Sequence, residues 1–371
     1  MRKTFKYRLY PTRSQTTVFE QTLNSCCWLY NHFLEQRKTA WENEKKSISC
    51  YDQSNMLKAL KIEHPFLTGV FSQVLQNVST RLDLAFRAFF RRIKAGEKPG
   101  YPRFRGESRY DSFTYPQSGF KLLKNVVRLS KIGGVKIRLH RPIEGKIKTC
   151  NIRRTPIGKW FVTFACEIEH KAVENPINPS VGIDMGLSHF ATLSNSETVK
   201  NPRFFRKEEI ALKKAQRKLS AQKKASKARA KARKIVARIY ERISNKRHNF
   251  AHQLSRKFVN KYNTICVENL SINDMKKDNF RCINKSIGDA AWRMFLNFLE
   301  YKAECADKRV VKINPAYTSQ TCSECGTRQK LKLSDRMYHC SCCGLSLDRD
   351  HNAALNILTL GMQGLGKGLC P

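Results

Sequence analysis

The chain has 371 residues, and its 70 Lys and Arg against 30 Asp and Glu give a formal net charge of +40. This excess indicates a polyanionic partner, because each phosphate that a cation neutralises releases counterions; a ribosomal or merely basic protein is the alternative. No apolar run approaches the roughly 18 residues of a membrane-spanning helix, and the first residues lack the apolar segment of a signal peptide. We therefore expect two or three domains in an intracellular, reducing location.

Strands and helices alternate in the N-terminal half. Residues 3–10 alternate basic and apolar side chains, as a β-strand does. Two helices are predicted over residues 15–45 and 53–95, where apolar residues recur at spacings of three and four. Residues 96–119 are rich in Gly and Pro, and their aromatic side chains alternate with Arg, a composition that suits base stacking and phosphate contact. Short alternating strands return over residues 120–170.

The C-terminal half contains a long basic segment. Residues 181–194 read as a strand, a Gly turn and a second strand, whereas residues 203–260 contain no Pro or Gly and predict a long helix or a pair of helices. Within 206–247 there are 17 Lys and Arg but only 3 Glu, so few intrahelical ion pairs can form. A nucleic-acid-binding surface is therefore favoured over a merely solvated face. Residues 263–268 predict a short buried strand, and residues 351–360 a final helix.

Three carboxylates stand at the ends of predicted elements. Asp184 and Glu268 each end an apolar strand, and Asp350 directly precedes the last helix. Phosphodiester cleavage needs an activated water and a stabilised leaving oxygen, which two divalent ions about 4 Å apart can provide. Mg²⁺ is held by few carboxylates together with waters and phosphates. The alternatives are a turn residue at Asp184, a solvated strand end at Glu268 and a helix N-cap at Asp350.

The cysteines predict a second metal site. Two Cys-x-x-Cys pairs are separated by 14 residues, and the first Gly after each pair, Gly326 or Gly344, permits a sharp turn. Four thiolates favour a closed, structural Zn²⁺ site, although the neighbouring Cys342 blurs the choice of ligands. The predicted ligands are Cys322, Cys325, Cys340 and Cys343.

These motifs together resemble one known family. VGIDMGLSHFATLS, ICVENLSI, INPAYTSQTCSECG and LDRDHNAALNIL are similar to the three RuvC motifs and the zinc knuckle of the OrfB/TnpB family, transposon-encoded RNA-guided nucleases related to the compact type V CRISPR effectors. KTFKYRLYPTRSQ and PRFRGESRYDSFTYPQ also resemble the family, so the likeness covers nearly the whole chain. It implies that Asp184, Glu268 and Asp350 are catalytic and hold two Mg²⁺ ions, beside one structural Zn²⁺. Asn352 is expected to orient Asp350 or a metal-bound water.

The resemblance also implies an architecture, an α+β multidomain protein. A split, wedge-like β-barrel is expected over residues 1–11 and 96–170, with a helical recognition domain, residues 12–95, inserted in it. An RNase H-like RuvC α/β domain is expected over residues 171–371, with a zinc ribbon-like knuckle inserted at 316–346. The expected partners of this monomeric protein are a guide RNA from the transposon end and double-stranded target DNA, without a membrane or a small-molecule substrate. The expected location is the cytoplasm of a prokaryotic cell, at the nucleoid.

Nucleic-acid contacts are predicted on basic, aromatic and polar residues of both halves. The alternative for the aromatic residues of 99–115 is a place in the core, which Phe104, Phe113 and Tyr115 could take. The predicted contacts are Lys3, Lys6, Arg8, Tyr51, Ser54, Gln73, Gln76, Arg103, Arg105, Tyr110, Lys213, Lys214 and Arg217.

The predicted function is RNA-guided cleavage of double-stranded DNA beside a short adjacent motif, by a single RuvC-type site of a mobile element. The alternatives are a guided repressor that does not cut, a transposase or its accessory protein, and a guide-independent nuclease of the junction-resolving kind. The complete acidic triad argues against the repressor. The large basic N-terminal half exceeds what a junction-resolving nuclease needs.

Overall fold

The chain forms two compact units, Met1–His170 and Lys171–Pro371. The predicted boundary at 170/171 and two residues of the predicted knuckle, 333 and 334, lie outside the described residues. The functional division of the two units stays a prediction. The structure, a computed structural model, describes residues 1–169, 179–272, 274–277, 279–332 and 335–366.

A seven-stranded sheet forms the N-terminal unit. Its order is β2-β6-β7-β1-β5-β4-β3, and all neighbours are antiparallel. The first strand lies in the middle of the sheet, and Phe5, Tyr7 and Leu9 alternate into the core, which confirms the predicted strand at 3–10. The strands are β1 (Arg2–Tyr10), β2 (Ser112–Tyr115), β3 (Phe120–Leu123), β4 (Val126–Leu129), β5 (Gly133–Arg138), β6 (Lys146–Arg154) and β7 (Trp160–Glu167).

Helices are inserted between the first two strands. The first begins after Thr12, whose hydroxyl accepts a hydrogen bond from the N–H of Gln15 (3.2 Å) in a capping box. The predicted single helix at 53–95 is wrong, because Pro65 begins a 3₁₀ turn, Pro65–Gly69, and has no N–H with which to continue an α-helix. The helices are α1 (Arg13–Glu44), α2 (Cys50–Asn55), α3 (Leu57–Glu63) and α4 (Ser72–Lys94).

The C-terminal unit contains a five-stranded sheet of order β10-β9-β8-β11-β12. Three neighbouring strands, β8, β11 and β12, run parallel, and β9 and β10 are antiparallel additions. The carboxyl ends of the parallel strands therefore lie at one edge of the sheet. The strands are β8 (Ser180–Asp184), β9 (His189–Leu193), β10 (Thr198–Lys200), β11 (Thr264–Glu268) and β12 (Arg309–Ile313).

Helices cover both faces of this sheet. Ile265 and Val267 of β11 pack in the cluster that contains α6 and α8, whereas Cys266 packs with Ile357 of α9 on the opposite face. The predicted pair of basic helices is present, joined through a separate small core that includes Leu212 and Ile243. The helices are α5 (Phe204–Ser220), α6 (Lys227–Lys261), α7 (Arg281–Ala290), α8 (Trp292–Glu304) and α9 (Arg349–Gly366).

Two glycines let α9 approach the sheet closely. A Cβ atom at Gly182 of β8 would collide with the backbone oxygen of Ala354, and one at Gly361 of α9 would collide with the sulfur of Cys266. Only a residue without a Cβ fits at either place. These two contacts hold the middle of α9 against β8 and β11.

The predicted α+β class is confirmed, while closure of the first sheet into a barrel and the RNase H-like assignment stay predictions. A small hairpin, β13 (Met337–His339) and β14 (Ser346–Asp348), leads into α9. Over the described ranges, none of the helices combines the length and the apolar character that crossing a bilayer requires.

Candidate metal centres and nucleic-acid surfaces

The three predicted catalytic carboxylates are brought together from separate elements. Asp184 ends β8, and Glu268 ends the parallel neighbour β11, in which Val267 pairs with Ile183. Asp350 lies in the first turn of α9, so close to the turn after β8 that a Cβ on Gly186 would be 3.8 Å from its Oδ2. The sheet edge and the helix thus form one acidic cluster, defined as Asp184, Glu268 and Asp350.

The electrostatics of this cluster favour a bound cation. Burial raises the pKa of Asp184, the charges of Glu268 and Asp350 raise it further, and Arg349 opposes them. Burial also raises the pKa of Glu268, against a hydrogen bond that the Thr318 hydroxyl donates to its Oε1 (2.6 Å). The negative charges of these three neighbouring carboxylates exceed the one positive charge of Arg349 that offsets them. A divalent cation with a preference for oxygen ligands fits this donor set.

The N-cap of α9 is Asp348 and not Asp350. The Asp348 side chain accepts hydrogen bonds from the backbone N–H groups of Asp350 (2.9 Å) and His351 (3.1 Å). The alternative in which Asp350 is only the helix cap is therefore wrong. The Asp350 carboxylate is 17% exposed, and its Oδ1 lies 3.8 Å from Arg349 Nε.

The four predicted zinc ligands form a compact cluster. Within the described ranges, they are the one group of His, Cys, Asp or Glu side chains whose ligand atoms all lie within 4.8 Å of one another. The sulfur atoms of Cys322 and Cys343 are 3.6 Å apart, and those of Cys325 and Cys340 are 3.5 Å apart. Tetrahedral Zn²⁺ with Zn–S bonds of ~2.3 Å places its sulfurs about 3.8 Å apart. The cluster therefore fits a zinc ion.

Backbone geometry in the knuckle matches this assignment. Gly326 and Gly344 both adopt φ = +75°, the left-handed conformation that the predicted turns require. Cys342 is exposed and lies outside the cluster, which favours the four predicted cysteines as the ligands.

Asn352 does not take the predicted role. Its side chain is fully buried, its Oδ1 accepts from the backbone N–H of Ser323 (3.0 Å), and its Nδ2 donates to the carbonyl of Thr321 (2.8 Å). It therefore bonds to the start of the knuckle instead of orienting Asp350. Sequence reasoning missed Asn356, which contacts the same segment; its place four residues after Asn352, on the same helix face, was the available signal.

Several residues predicted to contact nucleic acid are buried or bonded to other residues of the N-terminal unit. Tyr110 is only 5% exposed and belongs to the core, so its prediction as a surface contact is wrong. The Ser54 hydroxyl is bonded to Cys50 O (2.7 Å), and Gln73 Oε1 accepts from the N–H of Ser118 (3.1 Å), which leaves both side chains poorly placed to read bases. Lys3 forms an ion pair with Glu144 (2.7 Å).

The remaining predicted contacts lie on the surface or at its edge. Arg8 is partly buried, with its guanidinium 5.1 Å from the ring centre of Phe161. The core alternative is correct for Phe113 and Tyr115, whereas Phe104 is 53% exposed. The exposed predicted contacts are Lys6, Tyr51, Gln76, Arg103, Arg105, Lys213, Lys214 and Arg217.

Comparison with known proteins places the chain in a family. Residues 163–279 match the OrfB family model described as "Probable transposase", 292–357 match the "Cas12f1-like, TNB domain", and 1–46 match a helix-turn-helix domain. A Streptomyces pristinaespiralis protein named "Putative RNA-guided DNA endonuclease" is 35% identical over 100% of this chain and 92% of its own length. The chain belongs to the OrfB/TnpB family. An Escherichia coli protein of the same description is 30% identical over 98% of this chain and 93% of its own length.

Solved structures share the fold at low sequence identity. The Cas12f1 chain of a complex with sgRNA and target DNA superposes with a TM-score of 0.59 at 17% identity, over 93% of this chain and 83% of that one. A mini RNA-guided endonuclease, CRISPR-Cas phi3, gives a TM-score of 0.50 at 10% identity, over 97% of this chain and 92% of that one. At these identities the likeness concerns the fold alone.

Proposed function

We propose that the chain is an RNA-guided DNA endonuclease of a mobile element, with guide RNA and double-stranded DNA as its partners. The observation that carries this proposal is the meeting of three carboxylates at one sheet edge in a chain of net charge +40. The charge suits a nucleic-acid partner, and the acidic cluster suits cleavage of its backbone. Relatives named as RNA-guided DNA endonucleases, matched over almost their whole length, support the same function.

Asp184, Glu268 and Asp350 would hold two Mg²⁺ ions, which when bound activate a water and stabilise the leaving oxygen. The order strand-Asp, neighbouring strand-Glu, helix-Asp supports a RuvC-type site on an RNase H-like sheet. Thr318 fixes one oxygen of Glu268, and Arg349 lies beside Asp350. Cleavage would leave a 5′-phosphate and a 3′-hydroxyl. The four cysteines would hold one structural Zn²⁺.

The N-terminal unit would bind the guide and the DNA beside the target. Its antiparallel sheet, interrupted by four helices, supports the assignment of a wedge-like domain with a recognition insertion. Base pairing with the guide would select the target, and the protein would read only a short adjacent motif. Of the predicted base-reading residues, Tyr51 and Gln76 are exposed and remain candidates.

A cleavage assay tests the proposal. The protein is expressed with its flanking transposon-end RNA, and the purified complex receives Mg²⁺ and a plasmid target flanked by randomised bases. We expect cleavage that requires the matching target and one flanking motif. Asp184→Ala and Asp350→Asn should each slow it on the order of 10³-fold, since transition-state stabilisation of several kcal/mol is lost.

Asp348→Asn is the matched control, because Asn also caps helices well and this residue lies two positions from Asp350. Its cleavage rate should stay within a few-fold of wild type. Tight guide-dependent binding without cuts by the wild-type complex would support a repressor instead. Cutting that ignores the guide, with no RNA in the purified complex, would contradict the guided function.

A further inference from the structure

One segment joins the acidic cluster to the zinc knuckle. Residues 315–323, here the knuckle linker, run from the end of β12 to the first cysteine pair. Thr318 within it donates its hydroxyl hydrogen to Glu268 Oε1 at 2.6 Å, and the two residues are only 5% and 7% exposed. The same hydroxyl lies 3.2 Å from the carbonyl of Pro315, but the shorter bond goes to the charged group and is the stronger one.

The helix that carries Asp350 holds the knuckle linker from the other side. Asn352 and Asn356 lie four residues apart on one face of α9, and both are buried. The Asn356 amide donates to the carbonyls of Thr318 (2.8 Å) and Thr321 (2.7 Å). Asn352 bonds to the Thr321 carbonyl and to the N–H of Ser323, the residue after the first zinc ligand. Beside the direct packing of α9 on β11, this segment thus connects Glu268 with α9 by hydrogen bonds.

The linker backbone is strained where it turns. Tyr317 adopts φ = +65°, a conformation that non-glycine residues rarely take unless surrounding contacts enforce it. The guanidinium of Arg328, which belongs to the knuckle, lies 3.6 Å from the centre of the Tyr317 ring. The Tyr317 carbonyl accepts hydrogen bonds from the N–H groups of Gln320 (3.0 Å) and Thr321 (3.1 Å). The knuckle therefore contributes to the conformation that presents Thr318.

We infer that Thr318 is a positioning residue that sets Glu268 relative to Asp350, and that the folded zinc knuckle maintains Thr318 in this place through the linker. The affinity of the acidic cluster for divalent cations then depends on the Thr318 hydroxyl and on the knuckle. This inference rests on the proposed function of the acidic cluster. It assigns to the knuckle an effect on the catalytic metal, although the four predicted zinc ligands are not part of the acidic cluster.

Thr318→Val tests the inference, because valine has the same shape as threonine and lacks the hydroxyl. We expect about a 10-fold or larger increase in the Mg²⁺ concentration for half-maximal target cleavage, with a smaller effect on the rate at saturating Mg²⁺, since supporting partners of metal ligands act on metal affinity. The Mn²⁺ concentration that gives half of the rise in melting temperature of the full-length, zinc-loaded protein should increase equally. Thr318→Ser should restore both values.

Thr359→Val is the matched control, the same substitution at an exposed position of α9 whose hydroxyl donates to Leu355 O (3.1 Å). Unchanged half-saturation in Thr318→Val, or equal losses in the valine and serine variants, would overturn the inference. If the valine variant does not fold, Asn356→Leu removes the bonds to the linker and should also raise both half-saturation values; unchanged values there would overturn the inference. Cleavage by Asp184→Ala would contradict the proposed function itself.

Discussion

The acidic cluster and the cysteine cluster share the C-terminal unit and the helix α9, yet they are assembled in different ways. The cysteine ligands come as two local pairs, each turned by a glycine, and their sulfur atoms already lie at distances that suit zinc. The carboxylates come from two strands and a helix far apart in the sequence, and burial together with repulsion from Glu268 and Asp350 raises the pKa of Asp184. A short motif can build the first site, whereas the second exists only when the whole sheet is folded.

The two sites also differ in their effect on stability. A structural zinc site contributes free energy to folding, because the folded chain binds the metal much more tightly than the unfolded chain, which has no preformed site. A cluster of buried carboxylates opposes folding until a cation binds. The hydrogen bonds of Asn352 and Asn356 connect α9, which carries Asp350, to the knuckle linker. The zinc site, which favours folding, thereby supports the acidic cluster, which opposes it. Breaking the zinc site should therefore change the stability of the protein the most, and changing one carboxylate should change it the least.

Cys340→Ser should remove zinc from the protein and lower its stability by several kcal/mol, on the order of what a structural zinc contributes to a small domain. Target cleavage should fall as well, because the knuckle linker loses its support. Zinc content by elemental analysis and the melting temperature measure both effects. Cys342→Ser, at the exposed cysteine beside the cluster, is the matched control and should keep one zinc per chain. Full zinc content in Cys340→Ser would contradict the assigned ligands.

The same difference explains what the sequence could predict. The zinc ligands follow from the spacing of the cysteines, β1 from its alternation and β11 from its short apolar run, and the structure places them accordingly. The three carboxylates were selected by their positions at element ends and by family resemblance, and their proximity depends on strand order and on the glycines that admit α9. Hydrogen bonds such as that of Thr318 to Glu268 join residues 50 positions apart, and no periodicity indicates them.

Surface contacts were the hardest to predict. Tyr110 and Arg105 share a basic, aromatic stretch, yet the structure buries the tyrosine and exposes the arginine. An aromatic residue between arginines suits both the core and a nucleic-acid surface, and only the packing of the helices onto the sheet distinguishes them. Helical boundaries failed for a related reason: the apolar spacing at 53–95 continues through Pro65, where the backbone cannot stay helical.

Substitutions in the basic helix α5 can test nucleic-acid binding separately from cleavage, because they leave the acidic cluster unchanged. Lys213→Gln with Lys214→Gln removes two exposed cations of α5. If both contact phosphates, the slope of log K for guide-RNA binding against log salt concentration should fall by about 1.5, since each contact contributes ~0.7–0.9. Binding measured at several salt concentrations gives this slope.

Lys257→Gln with Lys261→Gln is the matched control on α6, because both lysines already form ion pairs with Glu197 (3.3 and 2.9 Å). Its salt slope should stay closer to that of the wild type. If the salt dependence of binding is the same in the α5 variant as in the wild type, Lys213 and Lys214 do not contact phosphates. In neither variant should the Mg²⁺ dependence of cleavage change, since the carboxylates are untouched.

The smallest effect concerns the stability of the acidic cluster without metal. Burial is the main cause that raises the pKa of Asp184 above its ordinary 3.8. The protonated carboxyl therefore favours the folded state below pH 3.8, and this contribution to stability is lost as the pH rises through the folded-state pKa. Asp184→Asn should therefore stabilise the zinc-loaded, Mg²⁺-free protein at neutral pH by about 0.5–2 kcal/mol, with no gain at strongly acidic pH. Thermal unfolding of the zinc-loaded protein in Mg²⁺-free buffer without a chelator, at a series of pH values, measures this difference.

A control substitution and the addition of Mg²⁺ complete this last test. At the exposed Asp274, whose pKa is lowered mainly by a hydrogen bond from Lys277, the same change should bring no gain at neutral pH. Added Mg²⁺ should raise the melting temperature of the wild type and reverse the order of the two proteins, because only the intact cluster binds the cation tightly. A wild type that is the more stable protein without metal would mean that the carboxylates do not oppose folding. The contrast between the zinc site and the acidic site would then fail.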